Sequence, residues 1–189
     1  FHEGIRLPPL KLYERGQVRD DLWQLLMINT RTPHLLDGDL RAMVGSTRIG
    51  AEEVAATVHD LGIENALAHF RGILDHADLR LRQALKEIPD GVYSAEERFD
   101  TDCFTPQEIR LVTTITKAGD KLTVDFTGTA PQIRGFKNSS VANTWSAVYA
   151  GIASFFDVDL PRNEGTFRSV EIIAPEGTVV NARPPAPMT

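Results

Sequence analysis

Sulfur chemistry is nearly absent from this chain: Cys103 is the single cysteine in 189 residues. One thiol cannot close an internal disulfide, and such scarcity fits a reducing compartment, so a cytoplasmic location is expected. Long apolar runs are missing too. Ala147–Phe156 is among the longest, and Gly151 and Ser154 interrupt it, well short of the roughly 20 residues a membrane span needs. No membrane association is expected. Positive charge is in deficit, with 20 Lys and Arg against 26 Asp and Glu for a net charge of -6, and the pI is near 5.4. The basic residues are scattered and form neither a stripe nor an interleave with aromatics, so no nucleic-acid partner is expected. A G-x-S-x-G elbow, a Walker loop and a G-x-G-x-x-G fingerprint are all lacking, and ATP is therefore not expected to bind these residues directly.

What is present suffices for one sizeable core or two small ones, since 42% of the residues are hydrophobic. Residues 1–18 read as an extended leading segment, because Pro8-Pro9 disfavours helix and Gly16 punctuates. Asp20-Asp21 can cap a helix through Leu22, Leu25, Leu26 and Met27 that stops near Asn29. A long helix is expected from Asp37–Asp39, with Leu40, Val44, Val54, Val58 and Leu61 as its apolar stripe and Gly62 closing it. A second helix over 63–88 carries Leu67, Phe70, Ile73, Leu74, Leu81 and Leu85, and the two should form an antiparallel hairpin. After Pro89-Asp90-Gly91 the period changes. Strands are expected over 92–99, 109–116 and 121–126, the last two joined by Ala118-Gly119-Asp120. Asn143–Phe156 reads as a helix whose small face (Ala147, Ala150, Gly151, Ser154) allows close packing on a sheet, and Ser169–Ala174 reads as a final strand. The fold class is α+β: a helical hairpin over 1–88, then an antiparallel sheet with a packed helix over 89–189.

Candidate chemistry is sparse. His69 and His76 are seven apart on one helix, about 10 Å, too far to share one ion without other groups. His34 and His59 suit surface or capping roles, so no metal site is expected from these residues. Asp100, Asp102 and Glu96-Glu97 lack the glycine and spacing of a calcium loop and read as a solvated acidic strand edge. Cys103 has no fixed basic neighbour in sequence and is not read as a nucleophile. The best candidates lie where a strand ends in Val124-Asp125-Phe126-Thr127-Gly128-Thr129-Ala130-Pro131. Leu122, Val124 and Phe126 alternate with Thr123 and Asp125, as in a half-buried strand. The turn-formers that follow could cradle a ligand's oxygens, and turn chemistry explains them equally well. Asp125, Thr127, Gly128, Thr129 and Asn138 are the residues expected to line a substrate cleft, while Ser140 or Asn143 can cap the next helix.

The run Asp125–Gly135 resembles the signature of the hydantoinase B/oxoprolinase family, D-F-(S/T)-G-(S/T)-(S/A)-P-Q-x-x-G. Other stretches agree in order: Glu3–Pro9 with Lys11-Leu12-Tyr13; Asn29, Arg31 and Pro33 with Gly38–Ala42; Ile88–Tyr93; Asn163–Arg168; and Ile173–Thr178. The chain departs from the family's pattern at Ser140, where a proline is usual, and at Trp145, where side chains are smaller, a difference that bears on substrate preference. The resemblance implies a middle piece of a longer B-type subunit of an ATP-dependent hydrolase of cyclic amides. In that family a separate A-type subunit or fused half binds ATP and phosphorylates a carbonyl oxygen of a lactam or hydantoin. The divalent-metal ligands lie in stretches N-terminal to those seen here. The alternative within the family is a ketone carboxylase of the acetone or acetophenone type, and a second alternative is a non-catalytic assembly segment of such a complex.

Overall fold

A computed structural model describes residues 7–156 and 159–188, and the chain divides into units of residues 1–67 and 68–189. The first unit closes around one indole. Arg15 and Gly16 both take positive φ, 52° and 79°, and turn the chain between β1 (Tyr13–Glu14) and β2 (Gln17–Val18). This brings Tyr13 edge-on to Trp23, ring centroids 6.3 Å apart. Trp23 is buried on α1 (Asp20–Ile28). Its Nε1 donates to Asp37 at 2.7 Å, and the Arg41 guanidinium lies 5.0 Å above its ring centroid. Asp37 thus joins the two helices, and the Arg41 hydrogen bond, followed by that of Trp23, holds its carboxyl below the usual range.

Helix α2 (Pro33–Leu61) starts earlier than its Asp37–Asp39 expectation, because Pro33 sits at the first helical position, where its fixed φ and missing N–H suit a helix start. Gly62, with φ 76°, ends it as expected, and its N–H still bonds to the Val58 carbonyl. None of the α2 residues is fully buried. Residues 1–6, which carry part of the leading-segment expectation, lie outside the described residues.

Helix α3 (Ile63–Lys86) sends Leu81 and Leu85 wholly into the core of the second unit. There the strands β3 (Gly91–Thr101), β4 (Pro106–Ala118), β5 (Lys121–Asp125) and β6 (Val170–Ile173) form one sheet in that order. β3, β4 and β5 run antiparallel, with Gly119 at φ 61° in the tight β4–β5 turn. The sheet is not antiparallel throughout, as the sequence suggested: β6 pairs parallel with β5, Leu122 opposite Val170. A parallel neighbour requires a crossover, and the 44 residues between Asp125 and Val170 supply one through α4 (Val141–Phe155). Helix α4 also presents a different face from the one expected. Val148 and Ile152 pack on the core, while Ala147, Gly151 and Ser154 are exposed. The larger side chains remove more apolar area from water, and that decides the face.

One cation is enclosed at the sheet's end. Lys117 is 4% exposed and its Nζ lies 2.7 Å from Asp90 Oδ1, which also accepts the Gly119 N–H at 2.9 Å. These two bonds, the Lys117 one foremost, hold the Asp90 carboxyl below its usual range. The pair therefore ties the start of β3 to the β4–β5 turn. Removing the acid strands a buried ammonium, whereas replacing the lysine leaves an apolar filler. Asp90→Ala is accordingly expected to lower the thermal midpoint more than Lys117→Met does. A folded pKa below the ordinary value of about 3.9 means the acid's contribution is present above that pH and is lost as pH falls through the lowered value. The gap between the parent chain and Asp90→Asn should hold at pH 6 and close on acidification below about pH 4. Equal midpoints for the two at pH 6 would refute the tie.

Candidate functional site

The run after β5 does something specific to the sheet. Phe126 is buried and its N–H bonds to Ile173 O at 2.8 Å, extending the parallel pairing. The chain then leaves the ladder. Asp125 Oδ1 accepts the Thr127 N–H at 2.8 Å, Gly128 takes φ 93°, and Thr129 N–H closes the turn on Phe126 O at 3.1 Å. Thr129 returns the chain to β4 with its side chain standing in for backbone. Its Oγ1 accepts the Val112 N–H at 3.0 Å and donates to Val112 O at 3.1 Å. Ala130 N–H then bonds to Arg110 O at 2.8 Å, and pairing resumes. The excursion is a bulge that re-aims the turn, a device frequent beside active sites.

Farther on, the chain is laced to the C-terminal segment. Gln132 N–H bonds to Gly177 O, Ser139 N–H to Val179 O, and Ala182 N–H to Ser139 O. At the centre sits Asn138, only 1% exposed. Its Oδ1 accepts the Ile133 N–H at 2.9 Å. Its Nδ2 donates to the carbonyls of Ile133, Gly135 and Pro187 at 2.8–2.9 Å. Gly135 is equally constrained, because a Cβ there would lie 1.6 Å from the Asp102 carbonyl oxygen. Asp102 is itself buried, not part of a solvated edge. Its Oδ1 accepts the N–H groups of Thr105 and Phe104 and the Thr105 hydroxyl, and these bonds hold its carboxyl below the usual range. Ser140 caps α4 by accepting the Asn143 N–H, so of the two expected caps it is Ser140 that serves.

The five cleft candidates thus fall into two groups. Thr127 and Gly128 are exposed and Asp125 is half-buried, side by side in the re-aimed turn. Thr129 and Asn138 are buried, and their polar atoms are engaged within the fold. None of the five lines the main cavity. That cavity, about 570 Å³, opens between the sheet and α4 and is walled by Leu85, Ile115, Leu122, Val124, Phe126 and Ile152. Tyr93, Thr113 and Lys117 are the residues with polar groups in its wall. Sequence reasoning passed over Lys117, although Thr113, Ile115 and Lys117 alternate onto one face and a lysine facing inward is an informative exception. A second hollow, about 460 Å³, borders His69 and His76. Among the described residues no three His, Cys, Asp or Glu side chains converge on a metal-sized point. The main cavity's largely apolar wall, whose one cation is already paired, does not suit a nucleotide's phosphates.

The family model described as hydantoinase B/oxoprolinase matches residues 1–189. The chain belongs to that family. It is 34% identical to the beta subunit of the Pseudomonas jessenii caprolactamase, over 99% of this chain and 32% of that protein. The crystal structure of the ATP-dependent caprolactamase from the same organism superposes with a TM-score of 0.85 over 98% of this chain and 32% of that one. The B-type subunit of a putative D-/L-hydantoinase from Pseudomonas sp. strain NS671 is 30% identical over 99% of this chain and 33% of its own length. The delta subunit of the Aromatoleum aromaticum acetophenone carboxylase is 24% identical over 98% of this chain and 28% of its own length. The chain thus spans about a third of the length of these three relatives. The α+β class expected from the sequence is what the structure and its caprolactamase counterpart share.

The lacing makes Asn138 a structural test. Asn138→Ala orphans an N–H and leaves three carbonyls short of their donor. Each buried orphan costs about 1–3 kcal/mol, so a loss of at least about 4 kcal/mol is expected, or roughly 8–16 °C in thermal midpoint for a chain of this size. Gly135→Ala, unable to clear the Asp102 carbonyl, should fail to give folded protein. A shift under 2 °C for Asn138→Ala would show that the amide is not the tie.

Proposed function

We propose that the chain is part of the B-type subunit of an ATP-dependent cyclic-amide hydrolase of the hydantoinase or oxoprolinase kind. One observation carries this reading: the match to the beta subunit of caprolactamase at 34% identity covers 99% of the chain, with a TM-score of 0.85 to the caprolactamase structure. ATP would bind an A-type partner subunit or fused half, which phosphorylates the carbonyl oxygen of a lactam or hydantoin. The phosphorylated carbonyl is more electrophilic than the amide, so water can open the ring. A divalent metal would assist that attack, held by ligands in parts of the subunit N-terminal to these residues. No described helix is long and apolar enough to cross a membrane, and a cytoplasmic place fits the single cysteine.

Within that assembly the chain's own contribution is shape. The turn Asp125–Gly128 forms one wall of the substrate cleft, with Asp125, Thr127 and the Gly128 backbone facing it. Thr129 is a positioning residue that pins the end of the turn to β4, and Asn138 holds the following segment to the C-terminal one. Displacing such a wall by about 1 Å can cost on the order of 100-fold in rate, so a bulge pinned on both sides has catalytic value without touching the reacting bond. Ketone carboxylation is the second reading, supported by the 24% identity to the delta subunit of acetophenone carboxylase.

The test is product analysis of the subunit assembled with its ATP-binding partner. Hydrolysis of a lactam or hydantoin that needs ATP, with no carboxylation of acetone or acetophenone in bicarbonate, is the expected result, and the reverse pattern would replace it with the carboxylase. Asp125→Ala, which removes the acceptor of the Thr127 N–H and so frees the turn, should lower kcat at least tenfold with assembly intact. Full activity in this variant would remove Asp125 from the cleft. Loss of assembly would mark the segment as an assembly module.

A further inference from the structure

Helix α4 leaves part of the inner sheet face bare. Val148 and Ile152 cover the core, yet the 570 Å³ cavity beside them stays open. Its rim is unusual for a surface. Phe155 is 75% exposed and Tyr93 46%, and between them Ala147 and Gly151 present a small, exposed helix face to the mouth. Tyr93 continues the opening onto β3, the edge strand of the sheet. β3 is exposed from Val92 to Asp100 and, among the described residues, pairs only with β4. An eleven-residue edge with unpaired N–H and C=O groups beside an apolar opening is a surface that natural proteins cover.

The chemistry of the rim distinguishes the occupant. A small apolar molecule would account for the cavity alone. A second polypeptide segment accounts for every feature: side chains for the cavity, a backbone for the free strand edge, close approach over Ala147 and Gly151, and a pocket for the Phe155 ring. Relatives of this chain are about three times as long, so subunits of this family contain further polypeptide to supply it. We propose that the mouth of this cavity is the seat of an apolar segment of a family-length B-type subunit, lying against the Ala147–Gly151 face of α4 and beside β3. The inference rests on the reading of the chain as part of such a subunit.

Thiol accessibility tests it. In a background with Cys103 and any further cysteine of the long subunit replaced by serine, Gly151→Cys places the one thiol at the mouth, where a new Cβ meets no atom within 4 Å. Ala147→Cys serves as a second probe should the first disturb the helix. Each is made in the 189-residue chain and in the subunit expressed from the same gene at the length of its relatives, and each is reacted with a maleimide. The expected result is rapid labelling in the short chain and labelling at least tenfold slower in the long subunit. Equal labelling in both would overturn the inference, because the mouth would then be open in the full subunit. Protection of the short chain that grows with its own concentration would place a second copy there and overturn it as well. ATP-dependent hydrolysis of a lactam or hydantoin is assayed on the same long subunit with its partner. Activity with an unprotected thiol defeats this inference alone, and a protected thiol without activity defeats the functional reading alone.

Discussion

The Asn138 amide is the joint on which the second unit depends. It is buried among backbone groups that have no ladder partners of their own, and it serves the carbonyls of Ile133, Gly135 and Pro187 together with the Ile133 N–H. Irregular backbone can enter an interior only when its polar groups are paired there. One side chain does this for two loops distant in sequence, so the segment after β5 and the C-terminal segment order each other. Around it, Thr144 Oγ1 donates to Val180 O at 2.6 Å from the first turns of α4, and the crossover to β6 is anchored to the same region.

Close backbone approach is the second constraint, and it uses glycine twice. Gly135 presses on the Asp102 carbonyl and Gly165 on Leu74 of α3, where a Cβ would come within 2.1 Å of a carbonyl oxygen. The second contact sets the 163–168 turn against the helix. Arg168 pairs with Asp75 at 2.6 Å, and Phe167 stacks on Tyr149 of α4 with centroids 4.0 Å apart. Glycines of the family motifs thus serve here to let one backbone lie on another.

Element type was legible wherever local pattern and turn chemistry agreed. Gly62 ended α2, Gly119 turned β4 into β5 and Ser140 capped α4, each for a reason contained in a few neighbouring residues. Failures came where long-range packing decided. Nothing local in Val170–Ile173 states that its partner is β5 in parallel register. The inward turn of Val148 and Ile152, rather than of the small face of α4, depends on what the sheet offers. The candidate site was legible as a place but not as roles. The order Asp-Phe-Thr-Gly-Thr marked the bulge, yet whether Thr129 and Asn138 face solvent or backbone is fixed by Val112 and by residue 187, distant in the chain.

These assignments bear on what the chain can do. In the second unit the buried side chains of Asp102, Lys117, Thr129 and Asn138 each bond within the fold. Geometry has value only if it is held, and the bulge after β5 is held from both sides: by Val112 through the Thr129 hydroxyl, and by Ile173 through the Phe126 N–H. The same Phe126 forms part of the cavity wall. Val124 belongs to the wall as well, so the two residues that flank Asp125 join the cavity and the turn in one stretch of backbone.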